Sequence, residues 1–206
     1  MDRFLSVVSE KRAAAYGNWK EKGSLFVLEK YLDNIRISQA FYPLLDFFEI
    51  TLRNRINNVF IEDYGEDWLL NNDFFDGETK KAVEEARKRL EKKRKKPVNH
   101  RMVAELNFGF WSNLFNKKYH VVWQMNKRVR RIFVNTRLDI KIINGDLEIL
   151  RKFRNRVFHF ETVYNHQPER CRRLLLKYIS AMSPNSDFMN IVETFDQLKE
   201  RFEDEN

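Results

Sequence analysis

Apolar residues recur along this chain at helical rather than strand spacing, which predicts long helices joined by few breaks. Asp2 to Trp19 has weak helical periodicity and a stop at Gly17-Asn18. Leu25, Leu28, Leu32 and Ile35 then fall on one expected inward face, with Ser24 placed to cap that helix. Pro43 predicts a kink or a restart, because its ring removes a backbone donor. Beyond it Leu44, Phe47, Phe48, Thr51, Leu52, Ile56, Val59 and Phe60 carry the stripe on to Gly65. Polar Glu49, Arg53, Asn54 and Asn57 share a neighbouring face.

Trp68, Leu69, Phe74 and Phe75 predict a looped stretch anchored on the core. Thr79 to Lys96 reads as a polar helix with one apolar stripe, Val83, Ala86 and Leu90, stopped by Pro97. It forms a basic helical insertion around residues 78–97, within one domain spanning 1–206. The aromatics Phe108, Phe110, Trp111, Phe115, Tyr119 and Trp123 suit a core or subunit surface better than a base-stacking platform. Arg128, Arg130 and Arg131 belong to a further helical pattern that ends near Asn135. Asn144-Gly145-Asp146 predicts a turn that caps a helix with Leu147, Leu150, Phe153 and Val157 inward. Pro168 opens another, with Leu174, Leu175, Tyr178 and Ile179 inward, and Ser183-Pro184 closes it. A last helix is expected from about Asp187 to Phe202. The expected fold class is all-α, a helical bundle with additional peripheral helices.

Composition sharpens this. Only 6 Gly and 4 Pro supply turns, which argues against many short strands. Lys and Arg number 38 against 30 Asp and Glu, a formal net charge of +8. That favours a polyanionic partner, nucleic acid or an anionic membrane surface. No apolar run approaches the roughly 20 residues of a membrane span, and Met1 to Tyr16 lacks a signal-peptide core. No membrane partner is expected, and the cytoplasm is the expected compartment. Cys171 is the lone cysteine, so neither an intrachain disulfide nor a cysteine-rich zinc site can form. His100, His120 and His166 have no ligand spacing, so neither metal nor cofactor is expected. Between Arg87 and Lys96, eight of ten residues are cationic. Lys92, Lys93, Arg94, Lys95 and Lys96 are candidate phosphate contacts, or simply a solvated helix end.

The chemistry-bearing segment is Leu150-Arg-Lys-Phe-Arg-Asn-Arg-Val-Phe-His-Phe-Glu161. Arg154 and His159 lie about 140° apart on an ideal helix and are not partners along one ridge. Asn155 and His159, four apart, are, and Asn155 could orient the imidazole. Arg154 sits at the edge of the inward stripe and must be paired or face a shared surface. Arg156 reads as a solvated neighbour or a phosphate contact. Glu49 and Arg53 read most simply as an intrahelical ion pair worth a few tenths of a kcal/mol.

Arg154-Asn155 followed by His159 resembles the R-x4–6-H motif of the HEPN superfamily, in which a polar residue typically follows the arginine. The motif alone is unspecific: Arg94 and His100 also satisfy it, though with Lys95 following and Pro97 inside. Phe41-Tyr-Pro-Leu-Leu-Asp-Phe-Phe-Glu-Ile-Thr-Leu-Arg-Asn-Arg-Ile56 resembles the first signature of the Abi-like, abortive-infection proteins. Phe110-Trp-Ser-Asn-Leu-Phe115, with Tyr119 and Trp123, resembles their middle aromatic segment. Together these span from about Tyr31 to Glu161, most of the chain.

The resemblance implies a HEPN-like bundle and a homodimer whose two motifs meet in a cleft and cleave RNA without metal. His159 would exchange a proton with the ribose 2′-hydroxyl or the leaving oxygen, and Arg154 would hold the phosphate, with Asn155 beside them. Glu49, Arg53 and Asn54 would brace the site, Glu49 through Arg154. A toxin of phage defence is implied, held in check by an antitoxin protein or a non-coding RNA. Glu161 stands where HEPN toxins paired with nucleotidyltransferase antitoxins often carry Tyr, so modification there is not expected. Two rivals remain: a HEPN module that binds RNA without cutting it, and a basic helical scaffold for DNA or protein.

Overall fold

The computed structural model describes residues 3–183 apart from positions 72, 125 and 126. The expected helix from Asp187 to Phe202 lies outside the described residues. Among the described residues every regular element is a helix, and the fold is all-α. In chain order these are α1 (Arg3–Val8), α2 (Glu10–Ala13), α3 (Trp19–Lys22), α4 (Ser24–Tyr64), α5 (Gly77–Lys92), α6 (Asn99–Glu105), α7 (Phe108–Asn113), α8 (Val129–Ile132), α9 (Ile140–Phe158) and α10 (Pro168–Met182).

The axis of the molecule is α4, whose 41 residues span about 60 Å at 1.5 Å per residue. Pro43 neither ends nor restarts it. The proline removes one rung of the ladder, but on either side of it Phe41 is buried edge-on against Phe153 of α9 and Leu45 is buried beside Phe108 of α7 and Leu150 of α9, and that burial offsets the loss. Ser24 is the first helical residue rather than the cap, a place taken by Gly23. Gly65, at φ 86°, closes the helix by donating to the Ile61 carbonyl at 2.8 Å. The second half buries Phe48, Leu52, Ile56, Val59 and Phe60 as expected.

The first half differs. Leu25, Leu32 and Ile35 are 67%, 41% and 36% exposed, while Val27, Asn34 and Ser38 turn inward. Periodicity located an apolar stripe, but the neighbours of α4 cover its other side. There Val27 joins Ala13 and Tyr16 in a small satellite core, and Asn34 donates to the Glu161 carbonyl at 3.1 Å while accepting from Val163 N–H at 2.7 Å.

Helix α9 starts earlier than the Asn144-Gly145-Asp146 signal suggested. Asp139 caps it through the Lys141 N–H at 2.7 Å, and Ile140 and Ile143 extend the buried stripe of Leu147, Leu150, Phe153 and Val157. Burying two isoleucines outweighs the roughly 1 kcal/mol cost of Gly145 inside a helix. Asp146 instead staples α9 to α10, accepting from Tyr178 Oη at 2.7 Å and Lys177 Nζ at 3.1 Å. Phe108, Phe110, Trp111, Phe115, Tyr119 and Trp123 are all buried, so the aromatic segment is core. Trp68 anchors the loop by donating its Nε1–H to Asn57 Oδ1 at 2.8 Å, which makes Asn57 a core residue rather than part of a polar face.

The basic helix α5 packs on α6 and α7. It stops at Lys92, four residues before the expected end, because Arg94 adopts the left-handed conformation at φ 55°. Lys95 N–H then reaches the Leu90 carbonyl at 2.9 Å, and Arg94 N–H the Glu91 carbonyl at 2.8 Å, which closes the helix in a Schellman turn. Among the described residues no helix is long and apolar enough to cross a membrane.

Candidate functional site

Three helices place Arg154. Helix α9 presents it at the edge of its buried face, α4 supplies Glu49, and α7 supplies Phe108. These residues, with Leu45, Phe48 and Leu150, line a shallow recess. Arg154 Nε donates to Glu49 Oε2 at 3.3 Å, with the two side chains only 25% and 19% exposed. The guanidinium lies 4.2 Å from the centre of the Phe158 ring, a cation–π contact one helical turn on. Phe158 is held edge-on by Tyr42, with ring centres 5.3 Å apart. Glu49 and Phe158 engage Nε and one face of the guanidinium. Among the described residues Nη1 and Nη2 have no hydrogen-bond partner, so the fork that grips two oxygens of a phosphate is free.

His159 follows immediately. Helix α9 ends at Phe158, and His159 is its C-cap. Phe160 takes the left-handed conformation at φ 56°. The Glu161 N–H then bonds the Arg156 carbonyl at 2.8 Å, and the Phe160 N–H the Val157 carbonyl at 3.2 Å. This is the same Schellman closure as on α5, again without glycine. Leaving the helix lifts the imidazole off the side-chain spiral and exposes it to solvent.

Several expected pairings are replaced by others. Asn155 does not hold the imidazole: both side chains are exposed, and the link between the residues is His159 N–H to the Asn155 carbonyl at 2.9 Å. Ending the helix at His159 removes the side-chain alignment that a continuous spiral would have given. Glu49 turns to Arg154 rather than to Arg53, because a partly buried guanidinium on α9 gains more from a carboxylate than a neighbour on the same helix does. Arg53 is left half-buried, its Nε enclosed and unpaired among the described residues. Asn54 is exposed. Arg156 pairs with Glu161 at 3.0 Å on the outer side of the turn.

The basic run divides into paired and free cations. Arg87 bonds Glu84 at 2.7 Å and Glu91 at 3.0 Å, and Lys88 lies 3.7 Å from Glu84. Glu105 on α6 takes both Arg89, at 3.2 Å, and Lys93, at 2.5 Å. Lys93 first, and Arg89 after it, hold the Glu105 carboxyl below its usual range against an opposing push from burial. Lys92, Arg94, Lys95 and Lys96 are exposed, and none forms a salt bridge among the described residues.

Sequence reasoning missed Phe158 and Tyr42 as the platform beneath Arg154. The spacing of four from Arg154 to Phe158 could have flagged the first; nothing local pointed to the second. Among the described residues no three His, Cys, Asp or Glu side chains converge on a point where they could hold a metal ion. No protein-family model matches the chain, and neither the curated proteins nor the solved structures offer a match.

Proposed function

We propose that this chain is a metal-independent endoribonuclease of the Abi-like HEPN type, a toxin of phage defence kept in check by an antitoxin protein or RNA. The reading rests on the resemblance of its three sequence blocks. The observation that carries it is the state of Arg154, aimed through Nε by Glu49, backed by Phe158, and free at both terminal nitrogens among the described residues. Such a fork accepts a phosphodiester without rearrangement. His159, exposed five residues on, is the group placed to accept or deliver a proton. In this mechanism it takes the proton from the 2′-hydroxyl, whose oxygen attacks the adjacent phosphorus. Alternatively it delivers a proton to the departing 5′-oxygen, which leaves a 2′,3′-cyclic phosphate. Arg154 holds the non-bridging oxygens and offsets the charge that grows on them.

One arginine and one histidine leave the phosphate half surrounded, and a second copy would complete the cleft. The exposed Leu25, Leu32 and Ile35, with the half-buried Leu28, repeat at intervals of three and four, and the same heptad continues along α4 through Tyr42 and Glu49 to Arg53. Two copies pairing in parallel along this seam would bring both Arg154–His159 sites face to face.

One observation favours the rival, an RNA-binding module that does not cut: nothing among the described residues orients the His159 ring. Incubating the protein with labelled RNA in the presence of EDTA, beside His159→Ala, separates the two. The nuclease cuts in chelator, the variant loses roughly 10²- to 10⁴-fold in rate with binding retained, and a 2′-deoxyribose at the cleavage site blocks the reaction. Binding without cleavage by both proteins would establish the rival.

A further inference from the structure

A second recess, shallow and open to solvent, lies beside Arg151 between α7 and α9. It is lined by Ser112, Asn113, Asn116, Asn144, Glu148 and Arg151, without one apolar side chain. On α9 the residues Asn144, Glu148, Arg151, Asn155 and Phe158 follow one another at intervals of four, three, four and three. They therefore form one stripe that leads from the recess to the ring beneath Arg154. From Asn144 to Arg154 the rise is about 15 Å, a span of a few nucleotides. The six residues that line the recess take no part in the proposed cleavage chemistry.

The far wall is pre-oriented. Tyr119 Oη donates to Thr79 Oγ1 at 2.6 Å, and Asn113 Nδ2 donates to the same hydroxyl oxygen at 3.4 Å. With its amide turned that way, Asn113 offers Oδ1 to Asn116 Nδ2, which donates to it. Asn116 is thereby fixed with its carbonyl oxygen unused. Opposite, the Asn144 carboxamide has no hydrogen-bond partner among the described residues. Glu148 bonds Lys152 at 3.0 Å and lies 3.7 Å from Arg151, so it contributes a carboxylate that only accepts. That carboxylate argues against a phosphate in the recess. What remains is a surplus of acceptors, with the donors of Asn144 and Arg151 beside them.

We infer that this recess is a nucleobase subsite, reading the polar edge of one unstacked base of the RNA a few nucleotides from the phosphate on Arg154 and preferring bases with an exocyclic amino group over uracil. Adenine, cytosine and guanine each bring an amino donor to Asn116 Oδ1 and Glu148, while uracil has only its N3–H to give, flanked by two carbonyl oxygens that those acceptors repel. Selection of this kind is how proteins read single-stranded RNA, by hydrogen bonds to the edges of splayed bases. The inference rests on the proposed action on RNA, and its test keeps the two apart.

The test is cleavage of a random-sequence RNA pool, with the cut ends sequenced, by the wild type, Asn144→Ala and Asn116→Ala. Asn144 has no side-chain bond to lose, so its variant keeps the fold; thermal melting checks both. In the wild type, uracil is expected to be at least about fivefold under-represented at one fixed position near the cut. Both variants should flatten that position while cutting the mixed pool within a few-fold of the wild-type rate. A bias unchanged in the variants, or no position with a bias, overturns the subsite. Should the wild type not cut, the nuclease reading fails, and the same pool is selected for binding instead. A uracil depletion lost in both variants then upholds the subsite for a non-cutting binder, and failure to bind RNA overturns both inferences.

Discussion

Glu49 on α4 and Arg154 on α9, 105 residues apart in sequence, meet through a single hydrogen bond of 3.3 Å to Nε. Because that bond uses only the inner nitrogen, it orients the guanidinium while leaving its outer edge available. Arg154→Lys is expected to cost about 10²-fold or more in kcat, since an ammonium can neither bond Glu49 in this manner nor present a planar fork. Glu49→Gln keeps an acceptor for Nε and should retain most of the rate. Glu49→Ala removes the acceptor, and should lower kcat more than it raises KM and cost about 1 kcal/mol of stability. Steady-state kinetics of the three variants check this; equal loss in Gln and Ala would mean that charge rather than orientation matters.

Arg53 carries a buried Nε without a partner among the described residues. An orphaned donor of this kind weakens the fold unless a ligand satisfies it. Arg53→Met is expected to leave thermal stability unchanged or raised while weakening RNA binding several-fold. A destabilised variant with full affinity would return Arg53 to a purely structural role.

Lys92, Lys95 and Lys96 are free of ion pairs among the described residues, while Lys93 is bound to Glu105. Reversing the first three to Glu should reduce the slope of log affinity against log salt by roughly 2, at about 0.7 per phosphate contact on a single strand. Lys93→Ala should change the slope less and melt earlier. Filter binding across a salt series measures both, and an unchanged slope in the triple variant would reassign the run to solubility.

The seam on α4 gives a prediction about assembly. Leu32→Glu and Ile35→Glu place charge on an exposed stripe, so the monomer fold should survive. Sedimentation should show a dimer for the wild type at micromolar concentration and a monomer for the double variant, with cleavage lost alongside. A monomeric wild type that still cuts RNA would remove the dimer from the mechanism.

Phe160 occupies a left-handed position that glycine takes without strain, and its side chain is 67% exposed. Phe160→Gly should therefore stabilise the protein by about 1 kcal/mol, raising Tm by about 2–4 °C for a chain of this size. Calorimetry checks the sign; a lower Tm would mean that the ring's remaining contacts outweigh the backbone gain.

The sequence by itself determined that this protein is helical, and it marked the aromatics from Phe108 to Trp123 as core or subunit surface, of which the structure shows core. Those properties follow from local periodicity and side-chain chemistry, and Ile56, Leu90, Leu147 and Leu175 lie where the pattern put them. Tertiary structure decided the rest. Periodicity marks a stripe as apolar without saying which neighbours cover it, so Leu25 and Leu32 lie outside while Val27 and Asn34 lie within. The helix ends at Lys92 and Phe158 depend on left-handed backbone at Arg94 and Phe160, where no glycine announced a stop. Gly145, by contrast, ends nothing, because burial on either side holds α9 together. The partner of Glu49 was open between a neighbour four residues away and an arginine on another helix. Only packing, by drawing α9 within reach and partly excluding water from the pair, made the distant one win.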